Sequence, residues 1–307
     1  MNLSQVKNTI AAATAAALAA LVASCAGNSA KTSDNLDELP DSLQSAPLQL
    51  SENVVNDMIQ NISSPVEMAN QIKKSGAPFD QAILNDAEKM KDYSTSFKRA
   101  LNLGAYSADL GYINTFNKNS VVVSYLLAVK ELADGLNVGQ FVDFTTLSRL
   151  AKNSTNLDSL KLLSVSCFND MDKYLREQKR SNVSTAIVAG AWIEGIYITS
   201  RVIEQTRDTE LINRLAEQKD IASILLIILN NYSRGDVNFQ ALVSKLNDLK
   251  SIYDDVRITT EFGEPQTKEV DGMLIIEQKE LTHVDITDEQ VAQIVEKVKA
   301  LRQFIVE

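Results

Sequence analysis

Two long segments of this chain carry almost no charge, and this feature limits the folds that the chain can adopt. The only charged residue between positions 101 and 117 is Asp109, and the only one between positions 181 and 200 is Glu194. Both segments would place apolar residues on every side of a helix, and such a helix is stable where other elements surround it. The sequence therefore predicts two central helices with the rest of the body packed around them.

The sequence from residue 51 to residue 257 favours helices throughout. Apolar residues recur at intervals of three and four, and glycine (11) and proline (5) are scarce among the 307 residues. Residues that end or cap helices stand at the breaks of this pattern: Ser75–Pro78, Asp134–Gly135, Asn153–Asn156, Asp208 and Asp236. We therefore predict an all-α fold, a multi-helix bundle, over residues 51–257.

The helical pattern stops near residue 258. Residues 258–283 are rich in β-branched side chains and lack a helical period, which favours a small β-like insert over the alternative of an ordered loop. Thr287 and Gln290 then fit a capping box, and an apolar stripe runs from Val291 to Ile305. Residues 258–307 should thus form the insert and a C-terminal helix that packs on the bundle.

The two uncharged segments also share a short string. Gly104-Ala105-Tyr106 corresponds to Gly190-Ala191-Trp192, and the two strings are 86 residues apart. The match indicates that the bundle could consist of two related helical halves, with coincidence as the alternative. Glycine weakens a helix by about 1 kcal/mol relative to alanine. We therefore expect the glycines of these segments to let another helix approach closely: Gly104, Gly111, Gly190 and Gly195.

Asp109 and Glu194 are the candidates for a polar site. A buried unpaired carboxylate is costly, so each must be hydrogen-bonded, paired, protonated or exposed to a water-filled cleft. In one interpretation the two acids fix how the helices pack. In the other they converge in a cleft that binds a sugar or a cation, or that provides an acid and a base. Helical spacing supplies candidate partners: Tyr106 and Tyr112 for Asp109, and Tyr197 and Arg201 for Glu194. In the cleft, Trp192 would join the tyrosines as an aromatic wall.

The composition argues against several kinds of chemistry. The formal net charge is −10, which disfavours binding to nucleic-acid phosphates through bulk electrostatics. The chain has one histidine, His283, and two cysteines, Cys25 and Cys167, which are too few for a multi-histidine or zinc-type metal site. We predict no metal, no cofactor and no catalytic residue, and we expect Cys167 to be a core thiol.

The first 25 residues have the layout of a secretory signal. Lys7 is followed by an apolar run over residues 10–23 and then by small residues. Val22-Ala23-Ser24-Cys25 resembles the bacterial lipobox; the alternative is an ordinary signal peptide with an incidental cysteine. The resemblance implies that residues 1–24 are removed and that fatty-acyl chains such as palmitate are attached at Cys25. Residues 25–50 are polar and lack periodicity, which predicts a flexible tether.

Two segments of the body are similar to stretches of helical lipoproteins of Bacteroidota. They are LNLGAYSADLGYINTFNK (101–118) and VAGAWIEGIYITS (188–200), and Leu132-Ala133-Asp134-Gly135 matches a helix end in that group. The similarity in layout covers most of residues 80–230. It implies an uncharacterised lipid-anchored all-α protein of the bacterial cell envelope, and it carries over no catalytic residues. Because Ala26 follows Cys25, where aspartate would indicate retention in the inner membrane, the outer membrane is the expected location.

Three functions are compatible with these features. The first is a non-enzymatic lipoprotein that binds a partner protein or a small molecule at the outer membrane. The second is a glycan-acting hydrolase that uses Asp109 and Glu194. The third is an accessory subunit of an outer-membrane assembly, which predicts an exposed apolar patch on the body.

Overall fold

The computed structural model describes residues 65–146, 157–263, 266–270, 273–277 and 280–307. The predicted signal peptide (1–24), Cys25, the tether (25–50) and the caps at 153–156 lie outside the described residues.

The described residues form a helical bundle, which confirms the predicted all-α fold class. The α-helices are α1 (Pro65–Lys74), α2 (Ser96–Thr115), α3 (Asn119–Gly135), α4 (Leu157–Glu177), α5 (Ser181–Thr206), α6 (Thr209–Ser233), α7 (Val237–Asp254) and α8 (Asp288–Val306). Short 3₁₀ helices cover Gln81–Ile83, Ala87–Asp92 and Gly139–Phe141. Four strands lie between α7 and α8: β1 (Arg257–Phe262), β2 (Gln266–Val270), β3 (Met273–Glu277) and β4 (Glu280–Asp285).

The two nearly uncharged segments form α2 and α5, and these helices pack against each other at the centre of the bundle. Helices α1, α3 and α8 also contact α2, and α1, α4, α6 and α8 also contact α5. Because neighbours cover both helices on several sides, most residues of α2 and α5 are buried. This confirms the expectation that apolar residues all round a helix place it in the core.

Glycines bring the backbones of α2 and α5 into contact. A Cβ atom added at Gly104 would lie 2.0 Å from the carbonyl oxygen of Ile187, and one added at Gly190 would lie 1.9 Å from that of Leu101. Real Cβ atoms do not approach so closely, so only glycine fits at either position. At Gly195 an added Cβ would meet the Cε atom of Met68 at 2.2 Å, a side chain and not a backbone. The expected close approach is therefore confirmed at Gly104 and Gly190.

The contacts between α2 and α5 are reciprocal. Gly104 faces Ile187 and Gly190 faces Leu101, and both Gly104–Gly190 and Leu101–Ile187 are separated by 86 residues. If each residue of one contact is replaced by its counterpart 86 positions away in the other helix, the other contact results. The matching strings thus form one interface with local two-fold character, while the wider prediction of two related halves stays a prediction.

Local sequence determines where several helices begin and end. The carboxylates of Asp208 and Asp236 accept hydrogen bonds from the first backbone N–H groups of α6 and α7. Thr287 and Gln290 form the predicted capping box of α8. Gly76, with φ +79°, follows the end of α1 and adopts the left-handed conformation that glycine favours.

The predicted β-like insert is a pair of antiparallel two-stranded ladders. Strand β1 pairs with β4, and Arg257 lies opposite Asp285. Strand β2 pairs with β3 in a second two-stranded sheet. Ile258 and Val284 are opposite each other and pack against the core of the bundle. The β1–β4 pair is therefore joined to the body by apolar contact.

Helix α5 has the length and composition of a membrane-spanning helix, but 83% of its most apolar stretch is buried inside the protein. Burial of this kind is typical of the core helix of a water-exposed bundle. Cys167 is a free and buried thiol, as expected from the sequence.

Replacing Gly104 or Gly190 with alanine should destabilise the protein by about 3 kcal/mol, at the upper end of overpacking costs, because the new methyl group meets backbone that cannot rotate away. Unfolding in urea followed by circular dichroism measures this change. Gly235→Ala is the matched control, since nothing lies within 4 Å of an added Cβ there. Equal stability of the Gly104→Ala and Gly235→Ala variants would contradict the backbone contact.

Candidate functional site

Asp109 of α2 and Glu194 of α5 lie side by side in the core, and neither side chain is exposed to solvent. The negative charge of Glu194 acts on the carboxyl group of Asp109, so the two acids are electrostatic neighbours. Asp109 Oδ2 accepts a hydrogen bond from the backbone N–H of Asn85 at 3.2 Å. No N–H or O–H donor among the described residues reaches Asp109 Oδ1. A buried carboxyl group with a single hydrogen-bond donor and no cation of its own is less costly in its neutral form.

Arg302 of α8 binds the other side of Glu194. Its Nε and Nη2 atoms donate to Oε2 and Oε1 at 3.2 and 3.3 Å, a bidentate arrangement that fixes both partners. The Arg302 side chain is 15% exposed and Glu194 is fully buried. The guanidinium carbon also lies 4.7 Å from the ring centre of Tyr197, a cation–π contact. Arg302 thus connects the carboxyl pair to the edge of the bundle.

The surroundings of the pair favour one neutral and one charged carboxyl group. Burial raises the pKa of Asp109 well above its usual range, the negative charge of Glu194 raises it further, and Arg302 acts in the opposite direction. Burial also raises the pKa of Glu194, while the charge and hydrogen bonds of Arg302 oppose that rise. Burial thus favours the neutral form of Asp109, whereas the contact with Arg302 favours the charged form of Glu194.

Tyr106 and Tyr112 do not bind Asp109, so the prediction that they are its partners is wrong. The Tyr106 hydroxyl donates to the carbonyl of Asp86 at 2.6 Å, and the Tyr112 hydroxyl accepts from the N–H of Asp80 at 3.1 Å. Both phenols instead fix the connection between α1 and α2. This connection passes over the faces of α2 on which the two tyrosines lie.

The predicted neighbours of Glu194 are also separated in the structure. Trp192 donates from Nε1 to Gln218 Oε1 of α6 at 2.9 Å, and Arg201 pairs with Glu204. The prediction of Arg201 as the partner of Glu194 is therefore wrong. Tyr197 remains near the acids, but through its contact with Arg302. The true partner lies 108 residues from Glu194 along the chain, beyond the reach of helical spacing.

A second layer of polar side chains binds the C-terminal end of α8. Asn102 Nδ2 donates to the carbonyl of Ile305 at 2.7 Å, Lys98 Nζ to that of Phe304 at 2.8 Å, and the Tyr93 hydroxyl to that of Val306 at 3.2 Å. The last carbonyls of a helix have no partner within the helix, and cations near this end are favourable. The buried Asn102 is therefore a helix cap supplied by another helix, a role that periodicity does not reveal.

Asn85 connects the two layers of the polar cluster. Its backbone N–H binds Asp109, and its side-chain amide donates to the hydroxyl of Tyr93 at 3.1 Å. Its carbonyl accepts from the hydroxyl of Tyr125 of α3 at 2.8 Å. The network therefore joins α2, α3, α5, α8 and the connection between α1 and α2, and its donors and acceptors are largely matched inside the protein.

Other features of the described surface lie away from this cluster. A cavity of about 80 Å³ lies between α1, α5 and α6, and neither Asp109 nor Glu194 lines it. Within the described residues, no group of three or more His, Cys, Asp or Glu side chains is arranged to hold a metal ion. Val123 and Leu127 are 47% and 55% exposed on one face of α3.

Comparison with known proteins yields no match for this chain among protein-family models, curated proteins or solved structures. A buried cluster of two acids and an arginine can orient helices, but in this closed arrangement it presents neither acid to a substrate.

Glu194 and Arg302 should show a large energetic coupling. Glu194→Gln or Arg302→Met alone should lower the free energy of unfolding by about 3–5 kcal/mol, because each leaves the other charge without its partner in the core. The double variant should lose much less than the sum of the two, as measured by urea unfolding in a double-mutant cycle.

Arg214→Met is the control for this cycle. Arg214 pairs with Glu210 and Glu217 on the surface and is 47% exposed, so its loss should cost less than about 1 kcal/mol. Additive effects of Glu194→Gln and Arg302→Met would show that the observed ion pair does not contribute to folding.

Proposed function

We propose that this protein is a lipid-anchored protein of the bacterial cell envelope whose helical body is a non-catalytic binding or interaction module. The observation that carries the proposal is the complete burial of Asp109 and Glu194 beneath Arg302. The acids of the two central helices are electrostatic neighbours, and Glu194 is paired with a third helix. Their contacts support a structural role, in which they set the packing on which a binding surface would be built.

A glycan-acting hydrolase is the alternative with less support. Glycosidases place two carboxyl groups about 5–10 Å apart on either side of an open site, so that substrate and water can reach them. Here Asp109 and Glu194 are both closed off from solvent, and Arg302 occupies both carboxylate oxygens of Glu194. Hydrolysis of an envelope glycan that is lost in Asp109→Asn, with folding unchanged, would favour this alternative.

The proposed anchor is the lipid on Cys25, and the proposed location is the outer membrane. The support is the lipobox-like sequence before Cys25, the Ala26 that follows it, and the polar residues 26–50. Multiple acyl chains at one residue hold a protein on a membrane stably, whereas one chain holds it weakly. The bundle, with its buried α5, would then lie in the aqueous phase beside the membrane and meet a protein or small-molecule partner there.

Cys25→Ser should abolish lipid attachment and removal of residues 1–24, because serine lacks the thiol that carries the acyl chain. Metabolic labelling with a fatty-acid analogue, followed by membrane fractionation and intact mass, measures both effects. Cys167→Ser, which changes a buried thiol of the body, should leave labelling and fractionation unchanged. Labelling that persists in Cys25→Ser would refute the proposed anchor.

An accessory subunit of an outer-membrane assembly is a second candidate, favoured by Val123 and Leu127. These residues are one helical turn apart on α3, and both are about half exposed. Adjacent exposed apolar side chains are a common feature of protein interfaces. In this version of the proposal, the face of α3 that carries them contacts the assembly.

Val123→Glu combined with Leu127→Glu should then reduce the amount of partner that is retained with the lipoprotein after detergent extraction. Ile227→Glu is the control, because Ile227 is also exposed but lies on α6. Quantitative mass spectrometry of the isolated complexes measures the change. Equal retention by both variants would exclude this face of α3 as the contact surface.

A further inference from the structure

The cavity between α1, α5 and α6 has an apolar floor and a charged rim. Three of the side chains that line it are buried in the core: Ile196, Leu211 and Leu215. Two others are exposed and charged, Glu67 of α1 and Arg214 of α6. The cavity is therefore a pocket that opens to solvent beside its charged residues.

Met68 forms one wall of this pocket. A Cβ atom added at Gly195 would lie 2.2 Å from Met68 Cε, so the methionine methyl group rests against the backbone of α5 where glycine leaves room for it. Methionine is unbranched and flexible, and it adapts to the shape of the group that it contacts. The wall can thus adjust to an aliphatic side chain that enters the pocket.

The polar groups near the floor are already hydrogen-bonded within the protein. Thr199 Oγ1 donates to the carbonyl of Gly195 at 2.9 Å. Gln218 Oε1 accepts from Trp192 Nε1 at 2.9 Å, and Gln218 Nε2 donates to the carbonyl of Arg214 at 3.3 Å. Because a polar group that is buried without a partner is costly, the floor favours an apolar occupant.

The charges at the rim favour a cation beside that occupant. Arg214 is paired with both Glu210 and Glu217. Glu67 adds a further carboxylate, and among the residues that the structure describes no cation pairs with it. Three carboxylates and one guanidinium leave an excess of negative charge where the pocket opens, and such a region attracts positive charge. The net charge of the chain, −10, acts in the same direction.

The size of the pocket limits the occupant to about one aliphatic side chain. Sites that enclose a whole small molecule usually measure about 300–1,000 Å³, and an apolar cavity of about 150 Å³ holds benzene. This pocket measures about 80 Å³. A single buried side chain can nevertheless anchor a protein interface when it fills a pocket that excludes water.

We propose that this pocket is a recognition site for a partner protein: it takes one aliphatic side chain from a segment in which lysine or arginine stands next to that side chain. The aliphatic group lies on the buried floor, and the neighbouring cation lies at the rim near Glu67. The proposal rests on the proposed interaction role of the helical body and specifies the chemistry of the partner at one site.

Methyl NMR of the purified chain, labelled with carbon-13 at its methionine methyl groups, tests the site. The Met68 signal is identified by its loss in Met68→Leu. It should shift when the blocked pentapeptide Ala-Lys-Leu-Lys-Ala is added, because the leucine side chain would contact the Met68 methyl group. Met171 is buried in α4 and does not line the pocket, so its signal should stay in place as the internal reference.

Two further peptides separate the apolar contact from the charge. Ala-Lys-Ala-Lys-Ala should bind about tenfold more weakly, because the floor of the pocket stays unfilled. Ala-Glu-Leu-Glu-Ala should bind about fivefold more weakly or worse, because its carboxylates meet those of the rim. Isopentylamine, which combines a similar aliphatic group with an ammonium group but has no peptide backbone, tests for a free small-molecule ligand.

Glu67→Lys should abolish the preference for the lysine peptide over the glutamate peptide, because it balances the charges at the rim. Glu289→Lys is the matched control. Glu289 is also an exposed glutamate in the first turn of a helix, but it lies on α8 and does not line the pocket. It should leave the preference unchanged.

Four results would overturn the site. They are an unmoved Met68 signal, equal affinity for the leucine and alanine peptides, equal affinity for the lysine and glutamate peptides, and an unchanged preference in Glu67→Lys. A Met68 shift with isopentylamine but with none of the peptides would also overturn it, because the pocket would then admit a free amine and exclude a protein segment.

Isolation of the intact lipoprotein from membranes separates failure of this site from failure of the proposed function. If Glu67→Lys retains the same partner in the same amount as the unaltered chain, the partner does not bind through this pocket, while the interaction role stands. If the unaltered chain retains no partner, the interaction role is refuted and this site with it. Loss of the partner in Glu67→Lys, with retention in Glu289→Lys and with the peptide preference described above, is the expected result.

Discussion

The direct contact between the backbones of α2 and α5 is the constraint on which the rest of the structure depends. Gly104 and Gly190 each occupy a place where a methyl group would collide with a carbonyl oxygen of the other helix. Their spacing sets the register of the two helices, and this register brings Asp109 beside Glu194. Because other helices surround both α2 and α5, the acids are sealed in the core and need partners there.

Polar contacts with Glu194 and with residues around α2 help to position the C-terminal helix. A carboxylate in the core requires a cation or donors, and Arg302 supplies a bidentate partner for Glu194. Polar residues of α2 and of the connection before it satisfy the last carbonyls of the same helix. The apolar stripe of α8 provides most of its burial, and the polar contacts select where along α2 and α5 its last turn lies.

The same cluster bears on the proposed function. Both acids are fully buried, and Glu194 is paired with Arg302. Neither carboxyl group is open to a substrate, which is consistent with a packing role inside the proposed binding module.

The helical class, the caps at Asp208, Asp236 and Thr287, and the strands before α8 can be predicted from the sequence, because they depend on residues that are near each other in the chain. The sequence also indicates that Asp109 and Glu194 occupy core helices and that glycine allows these helices to approach. The packing of the helices determines that Tyr106 and Tyr112 bind the connection between α1 and α2, and that Arg302 is the counter-ion of Glu194. Helical spacing pointed to Arg201, but the face that Glu194 presents is covered by α8. A partner 108 residues away is selected by the packing of helices, which local periodicity does not encode.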